Sequence, residues 1–387
     1  MVRPIQFLKQ QIDRYYKAAL IVFVLFFACV AYIEHNILDF HPVRDNLSAF
    51  ESRLVGFLDK GTDNRFGGMR KFYYTEEGYF GPDVVSVYTS SYLYTKQLNG
   101  DTDLDALDFL LSLQDKVGRT DGAFYYSRNL ETGDIDERFL VGTNAKVIIS
   151  LLQAYSITGD DKYLTSAKKS ADFILTMQRD DGWFDSQLRK SKDGTLLRTK
   201  KVSLLYNGQV LRAFSQIYEI SKDEKYYESA GKVASNLKER VNREGCLLGD
   251  DYRKPNPISS AWVVFSLREF SFSDGEYKDI YMNCADYLLE LRKSEMKSSS
   301  QSRGSWPGVY SSSGASWMAE VYSFLYRDCV SVGERGCKRY VKPIIETLWW
   351  IQGHEREPGR LVWSHASDSY VRMDTLSHTI AALRALF

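Results

Sequence analysis

Hydrophobic residues between Gly142 and Trp183 recur at the spacing of two α-helices joined by a tight turn. The apolar positions of the first helix are Val147, Ile148, Leu151, Leu152 and Tyr155. Those of the second helix are Tyr163, Leu164, Ala167, Ala171, Ile174 and Leu175. The polar turn Thr158–Asp161 ends the first helix and caps the second. Such a hairpin exposes too much apolar surface to be stable alone, so the pattern predicts further copies.

The same hairpin recurs along the rest of the chain. The first helices of the copies are predicted to begin near Asp83, Gly142, Tyr206, Ser259, Gly314 and Val371. These starts are 53 to 64 residues apart, which is too regular for independent helices. The sixth copy lacks a second helix, and the helical segment 42–60 can supply it from the other end of the chain. The repeat therefore predicts an all-α fold, an (α/α)6 toroid of six inner and six outer helices.

The two kinds of connection in this ring differ in length. Connections from an inner to an outer helix are short in the first four copies, whereas those from an outer to an inner helix span roughly 18 to 30 residues. Long loops of this kind are uncommon unless they are functional. They all reach the N-terminal ends of the inner helices, which carry free N–H groups and positive dipole ends. We therefore expect a concave site on this face.

The N-terminal region predicts a membrane anchor. Residues 1–17 are polar and hold four basic residues against one acidic residue, and residues 18–33 carry no charge. No small-residue cleavage site follows, so an uncleaved anchor at 18–38 is favoured over a cleaved signal peptide. The preceding basic residues place the segment 1–17 in the cytoplasm. The sequence thus predicts a single-pass protein of the cytoplasmic (inner) membrane, whose one domain, 39–387, lies in the periplasm or otherwise outside the cytoplasm.

Charge and cysteine content exclude several classes of function. Lysine and arginine together number 50, as do aspartate and glutamate, so no basic field attracts nucleic acid. No phosphate-binding loop motif occurs, and no cofactor is expected. Cys329 and Cys337 flank a polar loop, where a disulfide and two free thiols are both compatible with the sequence. No cysteine pair has the spacing of a zinc site, so no metal is expected.

The second hairpin also resembles a group of known families. It contains the pattern A-x5-L-L-x-A-Y-x-x-T-G-D-x-x-Y-L-x-x-A from Ala145 to Ala167, followed by Q-x-x-D-G-W from Gln178 to Trp183. This is similar to (α/α) toroid enzymes that act on carbohydrates: six-hairpin glycosidases, unsaturated glucuronyl hydrolases, N-acylglucosamine 2-epimerase-like proteins, and the helical domains of glucuronyl C5-epimerases and some polysaccharide lyases. The resemblance covers most of residues 42–387 as architecture, and it implies a carbohydrate substrate without specifying a reaction.

Two chemistries fit the reactive residues at the inner-helix starts and in the loops. The catalytic candidates are Asp83, Glu320, Asp374, His378 and His365. A glycoside hydrolase would use two of the three carboxylates. A uronate lyase or C5-epimerase would use His378, His365 or a tyrosine as base and Arg372 to neutralise the substrate carboxylate. The segment from Trp363 to His378 holds the most reactive side chains, which favours an acidic glycan.

Helical geometry relates three of these residues. Asp374 and His378 are four residues apart and so share one face of the last helix. Arg372 is only two residues from Asp374 and is expected to point elsewhere.

Further residues are expected to bind the substrate. Besides Arg372 they are Asn144, Asn207, Tyr79, Trp183, Trp262, Trp306, Trp317 and Trp363. The aromatic rings among them would stack on sugars, but packing in the core is the ordinary role of such side chains. Asn144 and Asn207, like Asp83, would also serve as helix caps, and His378 has apolar neighbours typical of a packing histidine.

The sequence thus predicts a membrane-anchored extracytoplasmic enzyme that acts on a polysaccharide or oligosaccharide. The alternative is a non-catalytic glycan-binding or scaffolding protein, whose partners would be envelope polysaccharide-assembly proteins. The enzyme hypothesis requires at least two of the catalytic candidates to converge on one cavity.

Overall fold

The computed structural model describes residues 41–191, 193–295, 305–364 and 367–387. Residues 51–387 form one compact unit, and residues 41–50 belong to a separate N-terminal unit. The inner helices are α2 (Ser86–Gln97), α4 (Val141–Thr158), α6 (Leu204–Ser221), α8 (Pro257–Ser271), α10 (Ser312–Ser331) and α12 (Met373–Leu386). The outer helices are α1 (His41–Lys60), α3 (Leu104–Ser112), α5 (Asp161–Leu175), α7 (Glu224–Glu244), α9 (Lys278–Glu295) and α11 (Lys338–Gln352).

The inner helices form a closed ring. Each packs against the next in sequence, and α12 packs against α2 to complete the circle. Residues 51–60 of α1 join the ring from the N-terminal side, because Arg384 Nε donates to Glu51 Oε1 at 2.7 Å. Arg53 also forms an ion pair with Glu355 at 2.7 Å. The predicted toroid is therefore confirmed for residues 51–387.

The predicted starts of the inner helices are correct to within three residues. Several of these starts are fixed by capping side chains of the kind that the sequence displays. Asn256 accepts from the N–H of Ser259 ahead of Pro257, and Ser311 accepts from the N–H of Gly314. Asp83 is the exception, because it lies in a short strand and the helix begins only at Ser86.

The expectation of an all-α fold was incomplete, because several long connections contain antiparallel strands. The strands are β1 (Phe72–Tyr74), β2 (Tyr79–Phe80), β3 (Asp83–Val85), β4 (Ser127–Asn129), β5 (Ile135–Asp136), β6 (Arg138–Leu140), β7 (Gln187–Lys190), β8 (Leu196–Thr199), β9 (Glu355–Glu357), β10 (Arg360–Ser364) and β11 (Ser367–Arg372). They form one five-stranded sheet, in the order β2-β1-β11-β10-β9, and two three-stranded sheets, β3-β4-β5 and β6-β7-β8. These runs are too short to stand out by periodicity, and their pairing partners lie far away in sequence.

Asn144 and Asn207 fasten the connections to the inner helices. The Oδ1 of Asn207 accepts from the N–H of Phe184 at 2.9 Å, and its Nδ2 donates to the carbonyl of Ser203 at 2.9 Å. Asn144 makes the same pair of bonds with Phe124 at 2.6 Å and Leu140 at 2.9 Å. Both side chains are fully buried. The side-chain amides of both residues are therefore hydrogen-bonded to backbone groups and do not face a ligand.

We expect Asn207→Ala to lower the free energy of unfolding by about 2 kcal/mol, because the buried N–H of Phe184 would lose its acceptor. Denaturant unfolding of the purified protein measures the change. Asn242→Ala is the matched control, since Asn242 is exposed on α7 and should change stability little. An equal effect of the two substitutions would contradict the fastening role.

The described residues contain two disulfides. Cys329 pairs with Cys337 across the loop between α10 and α11, which resolves the alternative that the sequence left open. Cys246 pairs with Cys284, a bond between the end of the third hairpin and α9 that sequence analysis did not identify. Among the described residues no helix is both long and apolar enough to cross a membrane, and the predicted anchor at 18–38 lies outside them.

Candidate active site

A cavity of about 430 Å³ opens at the N-terminal ends of the inner helices, the face to which the long connections lead. Every inner helix contributes to its wall; one such residue from each is Tyr88, Lys146, Gln209, Trp262, Trp317 and His378. A narrow extension of about 20 Å³ continues inward past Lys146 and His378 to Glu320. That extension has room for about one water molecule. The main cavity is thus the place where a ligand would meet side chains of the whole ring.

His378 and Glu320 form a hydrogen-bonded pair at the junction of the two spaces. The Nδ1 of His378 lies 2.5 Å from Oε2 of Glu320. The Glu320 side chain is only 2% exposed, whereas that of His378 is 14% exposed and lines the cavity. Within the described part of the chain, Nε2 of His378 makes no hydrogen bond. A carboxylate that accepts the Nδ1 proton leaves the lone pair on Nε2, so this nitrogen can take a proton from a ligand.

Two tryptophans form an aromatic wall beside His378. The rings of Trp262 and Trp317 are stacked with centroids 3.7 Å apart. Trp317 also meets the His378 ring edge-on at 5.5 Å. This packing restrains the imidazole and gives the cavity an apolar surface on which a sugar ring can stack.

Arg372 and Asp374 do not diverge as their spacing suggested. Arg372 precedes α12 in an extended conformation, so its side chain turns back and binds Asp374 through two bonds of 3.1 and 2.7 Å. Burial acts to raise the pKa of Asp374, but Arg372 and then His378 outweigh it and hold that pKa below its usual value. Asp374 is therefore ionised, and its carboxylate is already paired with the guanidinium group of Arg372.

Lys146 is a cation in the cavity that has no carboxylate within ion-pair distance among the described residues. Its Nζ donates to Ser91 Oγ at 2.7 Å. Burial lowers the pKa of Lys146, although Glu320 and Asp374 act in the opposite direction. By contrast, Arg212 at the inner extension is paired with Glu269 at 3.2 Å. Lys146 therefore has no carboxylate partner of its own within the described ranges, and an anionic ligand in the cavity would favour its charged form.

The structure brings together part of the predicted site. Glu320, Asp374 and His378 converge on the cavity and its extension, together with Arg372, Trp262, Trp317 and Trp363. This satisfies the convergence that the enzyme hypothesis required. His365 lies outside the described residues.

Other candidates lie away from the cavity. Asp83 accepts from Nδ2 of Asn129 at 3.0 Å across β3 and β4. Trp306 is 1% exposed and donates to Thr347 at 3.1 Å, so it packs in the core. Trp183 follows the turn after α5, and its backbone N–H donates to Asp181 at 3.1 Å. Tyr79 lies on β2 and is 48% exposed.

Sequence analysis missed Lys146 and Arg212. Each is the single cation in an otherwise largely apolar inner helix, α4 or α6. Buried lysine and arginine are rare unless they are paired or functional. A lone cation on a predicted inner helix was the sequence signal that could have identified each of them as a cavity residue.

A more open depression of about 600 Å³ is lined mainly by charged residues of the β5–β7 region. Its lining residues pair with one another: Arg138 forms an ion pair with Asp136, and Lys190 forms one with Glu137. It lacks an acid–base pair backed by a buried group, so we place the candidate site in the toroid cavity. The described residues contain no cluster of three or more His, Cys, Asp or Glu suited to a metal ion.

Solved structures with the same architecture cover most of the chain. Cellobiose 2-epimerase from Bacillus thermoamylovorans has a TM-score of 0.66 at 12% identity, over 89% of this chain and 99% of that one. A D-mannose isomerase has a TM-score of 0.69 at 14% identity, over 88% and 97%. A GH76 α-mannanase from Bacteroides thetaiotaomicron has a TM-score of 0.64 at 13% identity, over 88% and 95%. No protein-family model and no curated protein matches the chain significantly. These likenesses identify the (α/α)6 toroid fold of six-hairpin glycosidase-like enzymes.

Proposed function

We propose that the protein is a carbohydrate-active enzyme that removes the C5 proton of a uronic acid residue in an acidic glycan, with His378 as the general base. The observation that carries this proposal is the position of His378 in the cavity. Its Nδ1 is bound to buried Glu320, and its ring lies beside the stacked tryptophans. The cavity wall that holds His378 also holds Lys146.

The Glu320–His378 pair supplies the base. With Nδ1–H donated to Glu320, Nε2 can accept the C5 proton. The resulting imidazolium is stabilised by the Glu320 carboxylate. Glu320 is thus a positioning residue that acts through His378.

Lys146 supplies the countercharge. When the C5–H bond breaks, its electron pair moves into the carboxylate group of the substrate, which then carries additional negative charge. An ammonium group held in place beside the carboxylate stabilises this charge more than it stabilises the ground state. Two outcomes balance. Expulsion of the C4 oxygen substituent, which takes a proton from the His378 imidazolium or from water, leaves a C4=C5 double bond. Delivery of a proton from water to the opposite face inverts C5, and His378 then returns its own proton to water. The first is a lyase reaction and the second is C5-epimerisation.

The same geometry favours this chemistry over hydrolysis. A glycosidase needs one carboxyl group as acid and another as base or nucleophile. In the toroid cavity Asp374 is held by Arg372 and Glu320 is held by His378, so neither is free for such a role. The similar structures include a sugar epimerase and an isomerase, which supports a carbohydrate substrate.

We also propose that residues 18–38 anchor the enzyme in the cytoplasmic membrane with the toroid on the outer side. The uncharged run 18–33 and the basic residues before it support this orientation. Two disulfides within the toroid suit an oxidising compartment.

The test of the activity is incubation of the full-length protein with polygalacturonate, alginate and hyaluronan, with dextran as the neutral control. We expect consumption of at least one uronic glycan, seen either as ultraviolet absorption of an unsaturated end or as altered C5 stereochemistry. Turnover of dextran alone, or new reducing ends without unsaturation, would contradict the proposal.

A further inference from the structure

One face of the five-stranded sheet carries a continuous row of aromatic rings. Side chains alternate between the two faces of a strand, and residues directly opposite each other on paired strands share a face. Tyr74 pairs with Tyr370 and with Tyr79, and Phe72 pairs with Arg372. All of these side chains, from three neighbouring strands, therefore lie on the same face of the sheet.

The rings contact one another in sequence. The centroids of Trp363 and Tyr370 are 6.2 Å apart, and those of Tyr370 and Phe72 are 5.0 Å apart. Phe72 is followed by Tyr74 at 6.1 Å, and Tyr74 by Tyr79 at 5.3 Å. We call these five residues the aromatic row.

The aromatic row is not part of the core. The opposite face of the sheet packs on the core. There the ring centroids of Tyr73 and Phe80 lie 5.3 and 5.6 Å from that of Phe57. The five rings of the row are half-buried or exposed, and Tyr79 at the far end is 48% exposed. A contiguous aromatic surface of this kind on a soluble domain is typical of a binding site.

The row begins at the candidate active site. Trp363 lines the cavity, and so does Arg372, which shares the face of the row. Lys71 lies beside the near end: its Nζ is 4.9 Å from the centroid of Phe72 and 6.0 Å from that of the cavity residue Tyr126. No carboxylate lies within ion-pair distance of Lys71 in the part of the chain that the structure describes. The surface leading from the cavity therefore combines stacking platforms with an available positive charge.

We infer that the aromatic row binds the sugar residues next to the one in the cavity, so that the enzyme acts on an acidic polysaccharide or long oligosaccharide rather than on a monosaccharide. This inference rests on the proposed function for the identity of the residue in the cavity. The rings would stack on successive sugars, and Lys71 would pair with a carboxylate of the chain.

The test compares substrates of different length. The double substitution Tyr74→Ala/Tyr79→Ala is expected to lower the ratio of kcat/KM for the polymer to kcat/KM for the trisaccharide about tenfold, which corresponds to about 1.4 kcal/mol for the two rings together. Lys71→Met should lower the same ratio for a uronic polymer. The matched control is Tyr287→Ala, because Tyr287 is similarly exposed at 43% but lies on outer helix α9. An unchanged ratio in the double variant, or an equal fall in the control, would overturn the inference.

A binding measurement separates this inference from the proposed reaction. If the full-length protein turns over no uronic glycan, the proposed function fails, and affinity electrophoresis in polygalacturonate, alginate or hyaluronan then tests the row alone. Retardation of the wild type that is lost in the double variant and kept in Tyr287→Ala supports the row as a glycan surface. Absence of retardation in all three polymers, or equal retardation of the wild type and the double variant, overturns it.

Discussion

Replacing His378 with alanine is expected to lower kcat for the uronic glycan by about 10²–10⁴-fold, the range typical of losing a general base. The Michaelis constant should change much less, because the stacked tryptophans and Lys146 remain in the cavity. Steady-state kinetics with the full-length protein measures both values. Denaturant unfolding verifies that the variant is folded.

The partner substitution Glu320→Gln distinguishes a positioning role from a structural one. Glutamine can still accept from Nδ1, but it no longer carries the charge that stabilises the imidazolium, so kcat should fall by a smaller factor than in His378→Ala. Added to His378→Ala, the same substitution should have little further effect, because Glu320 acts through His378. Fully additive losses would contradict the dyad, as would full activity of His378→Ala.

Lys146→Met is expected to lower kcat/KM for the uronic glycan by about 10²-fold or more, the scale seen when one group that stabilises transition-state charge is removed. Methionine has a similar length and fills the space, so the loss reports the charge. The matched control is Lys342→Met on outer helix α11, whose side chain is 84% exposed. The control should leave the kinetics unchanged.

The effect of Lys146 should also depend on the substrate. A glycan whose carboxylates have been reduced to primary alcohols has no charge for Lys146 to neutralise, so any residual binding to it should be the same in wild type and variant. Equal losses with the charged and the reduced glycan would show that Lys146 supports the fold and not the substrate carboxylate.

Most of the fold could be predicted because its information is local and repeated. The hairpin from Gly142 to Trp183 shows its two helices through periodicity and its turn through Gly159, which takes a left-handed conformation at φ 71°. The number of hairpin copies predicted ring closure, since each copy needs a neighbouring hairpin on both sides to bury its apolar surface. The short strands and the bond between Cys246 and Cys284 could not be predicted in this way, because they depend on contacts between distant segments.

The site was predicted less completely. Glu320 and His378 were identified as single residues, but their hydrogen bond joins α10 to α12 and follows only from the closed ring. Asn144 and Asn207 occupy the expected helix starts, yet their amides are used to hold Phe124 and Phe184. Arg372 was expected to be separate from Asp374, because helical spacing was applied to a residue that precedes the helix. The direction of the Arg372 side chain depends on its extended backbone conformation, which residue spacing alone does not reveal.

Proton NMR of the C5 hydrogen of a uronic glycan, followed in D₂O, is the most direct test of the central claim. With the wild-type protein we predict that the C5 proton signal disappears, either by exchange for deuterium or by formation of the C4=C5 double bond. With His378→Ala the signal should persist. Consumption of the glycan by the wild type with the C5 proton retained and new reducing ends formed would contradict the account.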